Sequence, residues 1–210
     1  GLWAGDIPPQ PAGAVVEYYL AARDGSGAER RWPAPALDES LAPVQADNAL
    51  YLVDATTNRS PRPRFRLIMT ETERLGLESA DRRSNAAFNA AVVIEDGVNT
   101  TVHPRVSVRL RGASTRFAAV PNLRLHFPSD HPWDGVDDIN LNTFEWAPSQ
   151  ILGSVLALNS GVPAAHARPV DVFLNTTNRA PQGAHAQLQV VDGDWARDLF
   201  PNDPDGNVYF

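Results

Sequence analysis

Apolar and polar positions alternate most cleanly between Val102 and Arg111. There Val106, Val108 and Leu110 fall on one side of an extended chain, and Arg105, Ser107, Arg109 and Arg111 fall on the other. Leu123, Leu125 and Phe127 repeat the pattern against Asn122, Arg124 and His126, and the segment Gly112 to Pro121 joins the two runs, which predicts antiparallel neighbours. Arg64 to Thr70 packs Phe65, Ile68 and Met69 too closely for alternation and reads as a strand covered on both sides. Glu71 to Ser79 predicts a helical turn, and Asn85 to Glu95 a strand ending at the Asp96-Gly97 turn. Pro169 to Leu174 and Ala184 to Val191 predict two further strands around a loop at Asn175 to Gly183.

A helix is expected from Pro148 to Ser160. Proline suits its first turn, Gly161 its stop, and Ile151, Leu152, Val155, Leu156 and Leu158 form a wide apolar face. Near the start, Gly13 to Arg23 alternates as a strand, Asp24-Gly25-Ser26-Gly27 supplies a turn, and Arg31-Trp32-Pro33 opens a Pro-rich stretch to Pro63 broken by an apolar patch at Ala49 to Val53. The order of elements predicts an α+β fold: a mainly antiparallel sheet with one principal packed helix, plus an N-terminal β-hairpin.

Composition narrows the chemistry. The chain has 210 residues with 43% hydrophobic and 20% charged, ordinary for a globular domain. A net charge of -7 speaks against broad attraction to nucleic acid, and no apolar run reaches the roughly 20 residues of a membrane-spanning helix. All 18 basic residues are arginine; lysine and cysteine are absent. Schiff-base catalysis, thiol nucleophiles, disulfides and thiolate metal sites are therefore excluded within this chain.

Arg105, Arg109 and Arg111 share a strand face, Arg124 projects from the partner strand, and Arg116 lies in the loop between. Like charges so placed repel unless anions sit among them. Two neutralisers fit: internal carboxylates such as Asp137, Asp138 and Glu145, or a bound phosphate, whose geometry suits the guanidinium fork. The loop from Arg111 through Gly112, Ala113, Ser114 and Thr115 to Arg116 has the small residues and backbone amides that wrap phosphates. Asp130, Asp134, Asp137 and Asp138 offer either a Ca2+ site or a polar turn, and Asn202 to Asn207 has part of a calcium-loop pattern without its spacing. The five histidines lack metal-site spacing, and Gly-x-Ser-x-Gly is absent.

The ordered blocks VSVRLRGASTR, PNLRLHF, INLN, GVPAAHARPVDVFLN, GAHAQLQVVDGDW and DGNVYF resemble the spore-coat-protein-H-like (CotH) family of atypical protein kinases, from about Arg64 to Phe210. The resemblance implies residues 46–210 as a kinase N-lobe-like domain, apparently cut before the C-lobe, with residues 1–45 the trailing strands of an Ig-like module and a Pro-rich linker. It places Arg109, Arg111, Gly112, Ser114, Thr115, Arg116 and Arg124 as phosphate contacts for ATP with Mg2+. Departures stand beside it. Arg124 and His126 occupy basic positions where the family has lysine, the helix carries Gln150 but no carboxylate, and Gln189 and His185 replace a glutamate and a tyrosine.

A chain lacking these groups is expected not to catalyse alone. It reads as a degenerate CotH-like domain of a secreted or surface bacterial protein with a structural or adhesive role, binding other surface or matrix proteins or the remainder of its own polypeptide. Two alternatives stay open: the nucleotide-binding half of an active Ser/Thr kinase, and a carbohydrate- or surface-binding module presenting Trp133, Trp146 or Trp195 flat in a groove.

Overall fold

The computed structural model describes residues 4–34, 36–37, 43–44, 48–54, 60–143, 146–180 and 183–203. Its N-terminal part contains β1 (Val15–Tyr18), β2 (Leu20–Arg23), β3 (Glu29–Trp32), the short pair β4 (Ala36–Leu37) and β5 (Pro43–Val44), and β6 (Ala49–Leu52). The remainder runs β7 (Arg64–Ile68), α1 (Glu71–Ser79), β8 (Ala87–Glu95), β9 (Thr100–Leu110), a 3-10 turn (Ser114–Phe117), β10 (Leu123–His126), β11 (Asp138–Asn142), α2 (Ala147–Asn159), β12 (Ala167–Leu174), β13 (Thr177–Asn178), β14 (His185–Gln189) and α3 (Gly193–Leu199).

Seven of these strands close into a barrel in the order β12-β14-β11-β10-β9-β8-β7, and β7 pairs back to β12. That last pairing is parallel, with Asp171 opposite Arg64 and Leu174 opposite Leu67, whereas its neighbours around the ring are antiparallel. One long strand makes the closure possible. The first half of β12 pairs with β14 and its second half with β7, while β13 folds back on its tip.

Strand alternation points Phe65, Leu67, Val92, Val108, Leu123, Leu125, Ile139, Leu141 and Val172 into the ring, where they form one core with Leu77 of α1. Pro104 sits at a bulge in β9, where Ala90 faces Val106 and Val92 faces His103. The extra residue lets both Val106 and His103 turn inward, and His103 packs edge-on against Phe127. Outside the ring, β1 and β6 form a ribbon that buries Leu50 against Ile68 and Ala91. The predicted hairpin is β2 with β3, joined by a turn in which Asp24 accepts hydrogen bonds from Ser26 and Ala28.

The closed barrel overturns the expected α+β, kinase N-lobe-like arrangement with one principal packed helix. The three helices are short, and α2 leaves Leu152, Val155 and Leu156 exposed. Its contact is the barrel exterior at β12 and β14, where Ser154 donates to Ala165 O at 2.7 Å. The physical reason lies in what covers the apolar faces. Period-two strands need a lid if the sheet is open, but a sheet rolled shut buries the same side chains against one another.

One inward strand is polar. His185 and Gln187 of β14 are buried, Gln187 accepting from Arg168 Nε at 2.8 Å, and among the described residues both ring nitrogens of His185 lack hydrogen-bond partners. Burial, with the Arg179 guanidinium nearby, pushes the His185 pKa down to about 3. The unfolded chain titrates near 6.5. Between about pH 6.5 and pH 3 the unfolded state therefore binds a proton that the folded state refuses, so stability falls as pH drops through that window. Replacing His185 with Leu is expected to flatten the pH dependence of urea unfolding between pH 6.5 and 4; an unchanged slope would reject this account.

Closure has its own signature. Asp171 N donates to Pro63 O and Asn175 N to Leu67 O, both at 2.8 Å across the parallel seam. Native-state hydrogen exchange is expected to protect these amides to a degree comparable with β10. Rapid exchange at both, beside a protected β10, would show an open sheet.

Candidate functional site

The site forms on the outer wall of the barrel, where inward apolar residues force their sequence neighbours outward. Register sets a grid: Ala87, Arg109, Arg124 and Asn140 lie in one row across β8 to β11, and Asn89, Ser107, His126 and Asp138 in the next. Arg109 and Arg124 thus face each other directly across adjacent strands. A shallow concavity of about 290 Å³ opens here, lined by Ala87, Ser107, Arg109, Arg124, His126 and Asp138.

The four arginines brought together differ in what they already hold. Arg124 Nε donates to Asp138 Oδ1 at 3.1 Å, and His126 Nδ1 lies 3.3 Å from the same oxygen. Arg111 Nη1 donates to Asn142 Oδ1 at 2.8 Å, and Asn142 Nδ2 in turn donates to Gln150 Oε1 of α2 at 3.0 Å. A neutral amide relay thereby connects strand and helix. Among the described residues, Arg109 makes only long contacts, Nη1 to Asn85 Oδ1 at 3.3 Å and to Leu110 O at 3.4 Å.

Arg116 is spent on holding its own loop. Its Nε donates to Gly112 O at 2.7 Å, Nη1 donates to Ser84 O at 2.6 Å, and Nη2 donates to Asn85 Oδ1. Gly112 has φ +99°, and a Cβ there would fall 2.0 Å from Thr115 Oγ1, so glycine is required for the turn to close. Ser114 is exposed beside it, and neither its hydroxyl nor that of Thr115 is hydrogen-bonded among the described residues. Arg105, on the same strand, reaches away to Asp130 at 3.3 Å.

Electrostatics expose an imbalance. Burial lowers the guanidinium pKa of both Arg109 and Arg111 from its ordinary value, and Arg124 and the neighbouring arginines lower it further. Asp138 is the one carboxylate ion-paired with any of the four among the described residues. Of the other neutralisers considered, Asp137 accepts from Ser129 Oγ at 2.9 Å, and Glu145 lies outside the described residues.

The remaining candidates disperse. No three His, Cys, Asp or Glu side chains converge as a metal-binding group among the described residues; Asp130 and Asp138 are turned to arginines, and part of the Asn202 to Asn207 segment lies outside those residues. Trp133 stacks on Phe127 under Arg168, Trp195 is buried against Phe200, and Trp146 is exposed. The DGNVYF block also lies outside the described residues. Comparison with known proteins finds no protein family whose model matches the chain and no curated protein that matches it.

Sequence spacing pointed to the arginine face, Ser107 included, but missed Asn85 and Asn142, because single polar residues on other segments carry no signal until the register is known.

Two substitutions read the balance of forces. Arg109→Gln is expected to raise stability at low salt by a few tenths to about 1 kcal/mol through relief of cross-strand repulsion, with the gain fading as salt is added. Asn142→Ala removes the acceptor of half-buried Arg111 and is expected to cost about 1.5–3 kcal/mol. Urea titrations at two ionic strengths check both.

Proposed function

We propose that this chain is a non-catalytic binding module of a secreted or surface protein, which docks a phosphate-bearing partner on the arginine face of its barrel. The role is structural or adhesive. The observation that carries it is the excess of cation: Arg109 and Arg124 opposed across strands, Arg111 and Arg116 beside them, and Asp138 alone as ion-pair partner among the described residues.

Several features support binding over chemistry. The wall is shallow, which favours a group presented by a partner over an engulfed substrate. Arg109 has long, weak contacts and a mostly uncommitted guanidinium, and Ser107 and His126 flank it. The relay from Arg111 through Asn142 to Gln150 is built of amides, which offer no group to take up or release a proton near neutral pH. In a chain of net charge -7, local cation held against its own repulsion is a recognition device with an electrostatic cost.

Isothermal titration of the full chain at low ionic strength, with inorganic phosphate, pyrophosphate and ATP with Mg2+, tests the proposal. Pyrophosphate is expected to bind more tightly than phosphate, and added salt to weaken it. Each charge-assisted hydrogen bond carries about 1.5–3 kcal/mol, so the Arg109→Gln, Arg124→Gln double variant is expected to lose at least tenfold in affinity. Absence of binding by all three anions at millimolar concentration would sink the reading.

A further inference from the structure

A second concavity lies at one end of the barrel, separate from the arginine wall. Its volume is about 540 Å³, within the range of small-molecule sites. The floor is apolar, made by Leu77, Leu110 and Leu174 at the upper end of the core. Arg82 and Arg179 line it too, from the segment after α1 and from the turn after β13.

These two guanidiniums are poorly satisfied. Among the described residues, Arg179 makes one side-chain hydrogen bond, from Nη2 to Pro121 O at 3.1 Å, and its Nε is buried without a partner. The Arg82 side chain makes none among the described residues, and its Nη1 is likewise buried without a partner there. Neither forms an ion pair among the described residues. The carboxylate in the pocket, Glu78, is gripped by both of its oxygens by Arg74 Nη1 at 2.8 and 2.7 Å. Burial pushes the Arg179 pKa down to about 10, with Arg82 adding to the fall and Glu78 opposing it.

A buried cation without a counterion is costly, and native structures rarely keep one without a reason. Here the reason has a shape. Two unpaired guanidiniums stand over an apolar floor, with Thr176, Thr177 and Asn178 at the rim. An oxyanion would complete the arginines, and a small hydrocarbon body would cover the leucines.

We infer that the barrel mouth is a ligand site for a small organic oxyanion, a carboxylate or phosphate monoester carrying an apolar body, held by Arg82 and Arg179 over Leu77, Leu110 and Leu174. The site shares no lining residue with the arginine wall and stands whether or not that wall binds phosphate.

NMR titration of the full chain with benzoate, phenyl phosphate, benzyl alcohol and acetate distinguishes the parts of the claim. Benzoate or phenyl phosphate is expected to shift the Arg179 Nε–Hε signal and the Thr177 and Asn178 amides. Benzyl alcohol lacks the charge and acetate lacks the ring, so both are expected to bind at least tenfold more weakly. Which of the two aromatic anions binds tighter separates a carboxylate from a phosphate ligand. Arg179→Gln and Arg82→Gln are each expected to weaken binding at least tenfold. Arg82→Gln disturbs no side-chain hydrogen bond of its own, so it remains informative if loss of the Arg179 contact to Pro121 impairs folding. The Arg109→Gln, Arg124→Gln variant is expected to leave the shifts of Arg179 Nε–Hε and of the Thr177 and Asn178 amides unchanged. No shift with either aromatic anion, or binding that survives Arg82→Gln, would overturn the inference.

Discussion

The parallel pairing of β7 with β12 is the constraint on which the rest of the molecule depends. Without it the sheet would have two free edges and an uncovered apolar face; with it, each strand's inward residues are buried by strands across the ring. Closure also organises what lies outside the seam. Arg64 and Arg66 extend over the Phe173 ring, 4.8 and 5.1 Å from its centroid, while Arg62 pairs with Asp171 and Arg66 with Asp54. The join between strands more than 100 residues apart is thus sealed by stacked cations and carboxylates as well as by backbone hydrogen bonds.

A chain that has arginine as its only strong base uses it for several purposes, and the contacts separate them. Arg116 cross-links its loop to the turn at Ser84 and Asn85, and Arg111 is tied through Asn142 to α2; these serve the fold. Arg109 on the wall and Arg82 and Arg179 at the mouth are left with donors to spare. The distinction matters because charge alone attracts any anion, whereas a fixed, unsatisfied guanidinium selects one by geometry.

How much of this was legible in the sequence depends on range. Short-range signals read well: the alternation from Val102 to Arg111 became β9, Leu123 to Phe127 became β10 in antiparallel register, and the span Glu71 to Ser79 became α1. The clustering of Arg109, Arg111 and Arg124 follows from the same alternation, and the loop between the strands adds Arg116. Closure was not legible, because a parallel pair between Arg64–Leu67 and Asp171–Leu174 leaves no local trace. The apolar face of α2 was read as core-facing, yet Leu152, Val155 and Leu156 are exposed, since helical periodicity records amphipathicity and not what covers it. His185 stands out in the sequence only as a replacement for a tyrosine, and it is the ring that turns it and Gln187 inward. The mouth of the barrel was invisible for the same reason: Arg82 and Arg179 are nearly 100 positions apart.

A ring has no ends to extend. Each barrel strand already has a neighbour on both sides, so this part of the molecule cannot recruit another polypeptide by adding a strand to itself. The two-stranded ribbons outside it, β1 with β6 and β2 with β3, still have unpaired backbone along their margins, and β2 is exposed throughout. Among the described residues, strand exchange would have to start outside the ring, at those ribbons, at the β4–β5 pair or at β13, which leaves the barrel strands to meet their partners through side chains alone.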